Sequence, residues 1–334
     1  MINPQSIIRP GIVQRDRTRI LLPCGIGDVY WSLVKLQDFC KRHSIEKPHV
    51  AIITTTPEIK YAGSEFRSLE FLKMIPFVQI DDPPNKEAYP IKPAPKWLSE
   101  IYMDMWHGTK SDYPGFMGYD HFVVYNGAIT NGIFLEDVDD VKCDWYFPMK
   151  VSNDQEQFRL KCQKEYGRYA LFLWSFCGGG YSDYHLKGFS TEQIAESTRQ
   201  FVKKSGLTPV FVGAWWDTSH GNNHLKNIID SVPNSVDLVG KTTVDQLFGV
   251  IKGSELVVGC HCGPTIMATV FHKKTIILWA QSYPLFKPLS PLVISPPDTV
   301  GSTYWPIYTD NLTVDEFVGK MLDLLCYPEL DLTL

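Results

Sequence analysis

From Tyr169 onward, short apolar runs alternate with stretches of helical periodicity, and this alternation limits the fold more than any other feature of the chain. YALFLWSF (169–176), TPVFVG (208–213), ELVVGC (255–260) and KTIILWA (274–280) are too short for helices and apolar enough to be covered on both faces. Between them, STEQIAESTRQFVKKSG (190–206) and TTVDQLFGVIKGS (242–254) carry helical spacing, and TVDEFVGKMLDLLC (313–326) repeats it near the end. Ser190 with Gln193 three residues on is a capping-box pattern. Strands that alternate with helices imply a mainly parallel sheet.

The first half reads similarly but less regularly. RILLP (19–23) is a buried strand, and apolar Val29, Leu33, Leu36, Phe39 and Cys40 predict a helix over 29–42. HVAIITTT (49–56) is a second strand, FLKMIPFVQIDD (71–82) suggests helix then strand, and HFVVYNGAITNG (121–132) a strand with a turn. DDPPNKEAYPIKPAPKW (81–97) must be loop. A chain of 334 residues exceeds one ordinary hydrophobic core, so two Rossmann-like α/β domains are expected, 1–150 and 151–334, with a linker near 148–153.

Composition narrows the function classes. A net charge of −5 leaves no overall footprint for nucleic acid, although a local basic groove can sit within an acidic total. Eight scattered cysteines lack the spacing of a disulfide framework and read as reduced thiols. No signal-peptide core or membrane-length apolar run occurs, so the expected location is cytoplasmic, with peripheral membrane contact at most.

Ligands of such sheets bind at turns following the carboxyl ends of strands, which singles out four stretches. Pro23-Cys24-Gly25-Ile26-Gly27-Asp28 lacks the third glycine of a dinucleotide fingerprint, since Tyr30 stands there. Gly25 and Gly27 allow close ligand approach; Asp28 is either a helix cap or an acid facing a ligand, and one carboxylate can be both. WSFCGGGYSDYHLKGFS (174–190) is either an anion site, with Lys187 just before a helix, or a loop with a solvated lysine. Asp217, after Trp215 and Trp216, could accept from ribose hydroxyls, while the tryptophans either stack on a base or simply pack. Cys260-His261-Cys262-Gly263-Pro264-Thr265 joins strand to helix, with Pro264 suited to the first helical turn. Phosphate binding there is favoured over zinc, for which no second Cys/His pair stands at finger spacing, and over a Cys262 nucleophile, for which no base can be identified.

In order and separation these turns resemble glycosyltransferase family 9, the heptosyltransferase-like group with the GT-B fold. LLPCGIGDVYWSLVKL (21–36) looks like the family's opening strand, Gly-x-Gly-Asp turn and helix. Residues 238–280 are similar to its donor segment, where a strand runs into Asp-(Ser/Thr)-Gly-Pro, and Lys187-Gly188-Phe189 resembles its Lys-Arg-Trp-Pro. The resemblance implies two Rossmann-like domains with mainly parallel sheets facing a cleft, an N-terminal acceptor domain and a C-terminal nucleotide-sugar donor domain. It implies Asp28 as general base, Lys187 as diphosphate ligand and Ser175 near the donor phosphates. Asp217 would approach the ribose, and Gly263, Pro264 and Thr265 would offer the diphosphate their turn.

The implied activity is inverting, metal-independent sugar transfer from a nucleotide diphosphate sugar, with no cofactor, to a glycan or lipopolysaccharide hydroxyl. Residues 81–147 would build the acceptor side. Two departures stand out: His261 replaces the family's aspartate, and Ile266 replaces the histidine after the proline. They motivate a non-catalytic nucleotide-sugar-binding protein as a rival reading. Transfer to hydroxymethylated bases in DNA and sugar-nucleotide epimerisation are the others.

Overall fold

The computed structural model describes residues 19–22, 26–42, 44–52, 64–80, 121–126, 130–134, 144, 147–174, 189–213, 224–260, 262–279, 304–308 and 311–326 of the 334-residue chain. The chain divides into two compact units that part between Lys150 and Val151.

The first unit is built on a five-stranded sheet. Its strands are β1 (Arg19–Leu22), β2 (His49–Ile52), β3 (Gln79–Ile80), β4 (His121–Asn126) and β5 (Thr130–Phe134), in the order β3-β2-β1-β4-β5. All neighbours are parallel except β4 and β5, which pair antiparallel with a register shift between Val124 and Tyr125. The stretch expected at 121–132 as a strand with a turn thus contributes to two antiparallel strands. Helix α1 (Ile26–Arg42) follows β1, and α2 (Ser64–Lys73) leads towards β3. Val29, Leu33, Leu36 and Cys40 are buried at helical spacing, so the apolar stripe holds α1 in the core. The helix starts at Ile26, three residues ahead of the expected Val29 and in helical step with it. Residues beyond the sheet fold back onto these helices: Asp144 N–H donates to the Val34 carbonyl at 2.7 Å, Gln37 Nε2 donates to Asp144 Oδ2 at 2.8 Å, and Phe147 packs 5.6 Å from the Tyr30 ring.

The second unit opens with α3 (Asn153–Tyr166) and continues through β6 (Tyr169–Leu173), α4 (Thr191–Ser205), β7 (Thr208–Phe211), α5 (His224–Ser231) and β8 (Val236–Asp237). Then come α6 (Val244–Gly253), β9 (Leu256–Cys260), α7 (Gly263–Met267) with a 3-10 turn (Ala268–Phe271), β10 (Thr275–Trp279), β11 (Tyr304–Tyr308) and α8 (Val314–Cys326). The six strands are parallel throughout, in the order β11-β10-β9-β6-β7-β8. Counted from β6 as the first, that is 3-2-1-4-5-6, the dinucleotide-fold order. Ser190 and Thr243 begin α4 and α6 with complete capping boxes, to Gln193 and Gln246. One face of the sheet is covered by a core in which Phe172, Phe201, Phe211, Val258, Ile276, Phe317 and Met321 meet.

Three elements carry no expectation from the sequence reading. Helix α3 is polar, burying fully only Gln155 and Cys162. It is held by close approach instead: a Cβ on Gly249 of α6 would stand 2.4 Å from the Gln155 carbonyl oxygen. Strand β11 contains Pro306, which an edge strand tolerates, and β11 lies at the sheet's edge. Helix α5 shows the spacing Leu225, Ile228, Ile229 with Val232 just beyond, all buried, over only eight residues. Among the described residues, no helix is long and apolar enough to cross a membrane.

Candidate functional site

In each sheet the strand order reverses beside its first strand, and the gap outside the carboxyl ends there is where an open parallel sheet accepts a ligand. In the first unit this point lies between β1 and β4, which register through Ile20 with His121 and Leu21 with Phe122. The chain leaves β1 at Leu22 and enters α1 at Ile26, so Gly27 and Asp28 are its second and third helical residues. Asp28 is thus inside the first turn and not at the cap position, which corrects the cap reading. A carboxylate in a first turn is still favoured by the helix dipole. Gly25 lies outside the described residues.

In the second unit the reversal lies between β6 and β9, paired from Ala170 with Leu256 to Leu173 with Gly259. The strands approach so closely at this end that a Cβ on Gly259 would stand 2.5 Å from the Leu173 carbonyl oxygen. Only glycine fits that position without displacing backbone, a constraint that glycine inside a buried strand signals in sequence. Next to it, the Cys260 thiol donates to the same Leu173 carbonyl, Sγ to O 3.3 Å.

Past β9, Cys262, Gly263 and Pro264 are half-buried and Thr265 is fully buried. Thr265 Oγ1 donates to the Cys260 carbonyl at 2.9 Å and lies 2.9 Å from Cys262 Sγ. The first turn of α7 holds no acidic residue. The sequence reading placed these residues together by adjacency; the side-chain bonds of Thr265 carry no sequence signal beyond a hydroxyl at that position.

The remaining expected donor residues, Ser175, Lys187, Asp217 and His261, lie outside the described residues, as does Ile266's side chain. Their flanks are described. Trp174, 4% exposed at the carboxyl end of β6, has an indole N–H with no partner among the described residues. Phe189, just beyond Lys187 and Gly188, is buried edge-on against Phe317 at 5.4 Å, which fixes the start of α4. Beyond β7, Gly213 takes φ of 136°, a conformation that favours glycine, and its carbonyl accepts from Gly240 N–H at 2.8 Å.

Thiol chemistry separates the cysteines. Burial pushes Cys40 up to about 12 and Cys162 up to about 11, so both stay protonated and unreactive near neutrality. Cys262 is half-buried and Cys326 exposed, and all of these are free thiols. Among the described residues, no group of three or more His, Cys, Asp or Glu could hold a metal ion.

No protein-family model matches the chain, and no curated protein matches it in sequence. Solved structures do. The structure of a glycosyl transferase family 9 protein from Veillonella parvula aligns with a TM-score of 0.60 at 10% identity, covering 92% of this chain and 97% of its own. The E. coli ADP-heptose lps heptosyltransferase II aligns with a TM-score of 0.56 at 16% identity, covering 92% and 98%. UDP-GlcNAc 2-epimerase from Methanocaldococcus jannaschii aligns with a TM-score of 0.50 at 9% identity, covering 94% of each chain. Likeness at such identities is likeness of fold. The chain has the heptosyltransferase-like α/β fold of family 9 glycosyltransferases, the GT-B fold.

Proposed function

We propose that the protein is a glycosyltransferase that moves a sugar from a nucleotide diphosphate donor to an acceptor hydroxyl with inversion. The observation that carries this reading is the contrast between two equivalent turns. The first switch point has an acid, Asp28, in the opening turn of its helix; the second has Gly263, Pro264 and Thr265 and no acid. A carboxylate serves a reaction that must remove a hydroxyl proton, and its absence suits a turn that faces a diphosphate.

In the proposed reaction Asp28 accepts the acceptor hydroxyl proton as the oxygen attacks the anomeric carbon. The bond from that carbon to the diphosphate breaks, and the nucleoside diphosphate departs with the electron pair. Lys187 and the backbone N–H groups of Gly263 and Thr265 balance its charge, Ser175 lies near the phosphates and Asp217 at the ribose. No metal is required in this scheme; activity abolished by chelator and restored by added metal overturns that part. The acceptor is a glycan or lipopolysaccharide, bound on the side of residues 81–147.

The likeness to an epimerase supports a second reading, conversion of the donor alone. Incubating nucleotide sugars without acceptor separates the two: a new sugar epimer favours the epimerase.

The direct test is a thermal-shift panel of ADP, GDP, UDP, CDP and their sugar conjugates, on the parent and on Lys187→Ala. A ligand at 100 times its dissociation constant adds about 2.7 kcal/mol and raises the melting temperature by a few degrees in a chain of this size. One nucleotide should stand out and lose its effect in the variant. A flat panel overturns the donor site and moves a non-catalytic role to the front.

A further inference from the structure

Helix α7 has only five residues before it tightens into a 3-10 turn. So short a helix closes few backbone bonds of its own, and its orientation depends on ties to its surroundings. Alongside the buried Met267, a described tie at its start is Thr265. Its hydroxyl has one proton, which goes to the Cys260 carbonyl; the bond to Cys262 must therefore be donated by the thiol. Strand end, hydroxyl, thiol and helix start form one closed loop across the turn. Cys260 in turn is fastened to β6 through Leu173.

We infer that Thr265 is a positioning residue: its buried hydroxyl holds Cys262 and Gly263 against the end of β9 and is not itself a ligand contact. Resting on the donor-site reading above, this makes the hydroxyl a determinant of nucleoside diphosphate affinity that acts through the backbone of Cys262 and Gly263. The side chain, at 0% exposure and with its proton committed, has nothing left to offer a ligand.

Two readouts on the full chain test this, using Thr265→Val, which removes the hydroxyl at nearly constant volume, and Thr265→Ser, which restores it. The first readout needs no nucleotide: the rate at which iodoacetamide alkylates Cys262, followed by peptide mass spectrometry. Cys40 and Cys162 serve as silent internal controls. The Val variant should label several-fold faster than the parent, and the Ser variant at the parent's rate. The second is titration with the nucleoside diphosphate selected by the panel. Its Kd should rise about tenfold in the Val variant, the loss of one hydrogen bond's effect, and return to near the parent's in the Ser variant.

Equal labelling in parent and Val variant overturns the inference, as does faster labelling in both variants. Thr265→Ala replaces Val should that variant fail to fold. If the parent binds no nucleoside diphosphate, the donor-site reading fails, and the labelling rates still decide whether the hydroxyl holds the turn.

Discussion

At the first switch point α1 runs for 17 residues and carries Asp28 in its first turn; at the second, α7 runs for five and carries no acid there. The long helix is positioned by burial of Val29, Leu33, Leu36 and Cys40; the short one buries Met267 and Thr265 and is tied at its start by the hydrogen bonds of Thr265. Burial holds a helix firmly about its axis and leaves its first turn free for chemistry. Hydrogen bonds at a strand end hold a few backbone atoms in one shape, which is what recognition of a compact anion needs. The same topology thus supplies two kinds of helix start, and the proposed division of labour rests on how each is held.

The strongest way to break this comparison is Asp28→Asn. The amide keeps the size of the side chain and cannot accept a proton, so transfer should fall about 10²- to 10⁴-fold while nucleotide binding is retained. Both are read in one preparation, by product formation and by thermal shift. Undiminished transfer would remove the base from the first turn and with it the chemical contrast between the two.

Gly259→Ala sharpens the second half of the comparison. The new methyl would meet the Leu173 carbonyl oxygen, a backbone atom that cannot rotate away. Forcing β6 and β9 apart should cost about 3 kcal/mol, read from denaturant unfolding. Strand β4, which faces β1 at the other switch point, contains no glycine, so the tight junction belongs to the second sheet. A stability change near zero would mean that this junction yields freely.

What was legible in the sequence follows the same divide. The second sheet's buried strands read as unbroken apolar runs, and Ser190 with Gln193 marks a helix start by spacing alone. Helix α3 escaped because it is fastened by backbone approach at Gly249, which leaves no apolar stripe to read. Asp28 was legible as an acid after a glycine turn, but its place inside the helix was not. The sequence reading begins the helix at Val29, whereas it starts three residues earlier at Ile26, an apolar residue directly after the first glycine of the turn. The bonds of Thr265 were hidden for a different reason: they depend on the angle at which β9 meets α7, which no local pattern encodes.

The smallest expected effect concerns how α6, which leads into β9, is fastened to the sheet. Tyr169 in β6 is fully buried, and its hydroxyl donates to the Val250 carbonyl at 2.7 Å. Tyr169→Phe deletes that bond and little else, so it should lower stability by about 1 kcal/mol at neutral pH. The pH dependence identifies the cause. Burial pushes the folded-state Tyr169 pKa well above its ordinary value. A group with a raised folded pKa contributes stability that is complete below its unfolded pKa and is lost as pH rises beyond it. In the unfolded chain tyrosine ionises near pH 10, so the parent's advantage over Phe should hold from pH 6 to 9 and narrow above about 10. Denaturant midpoints of the two proteins at pH 7 and pH 10.5 measure both quantities. An advantage that does not narrow would mean the hydroxyl ionises as readily in the folded protein as in the unfolded chain, and that the Val250 bond does not hold the proton.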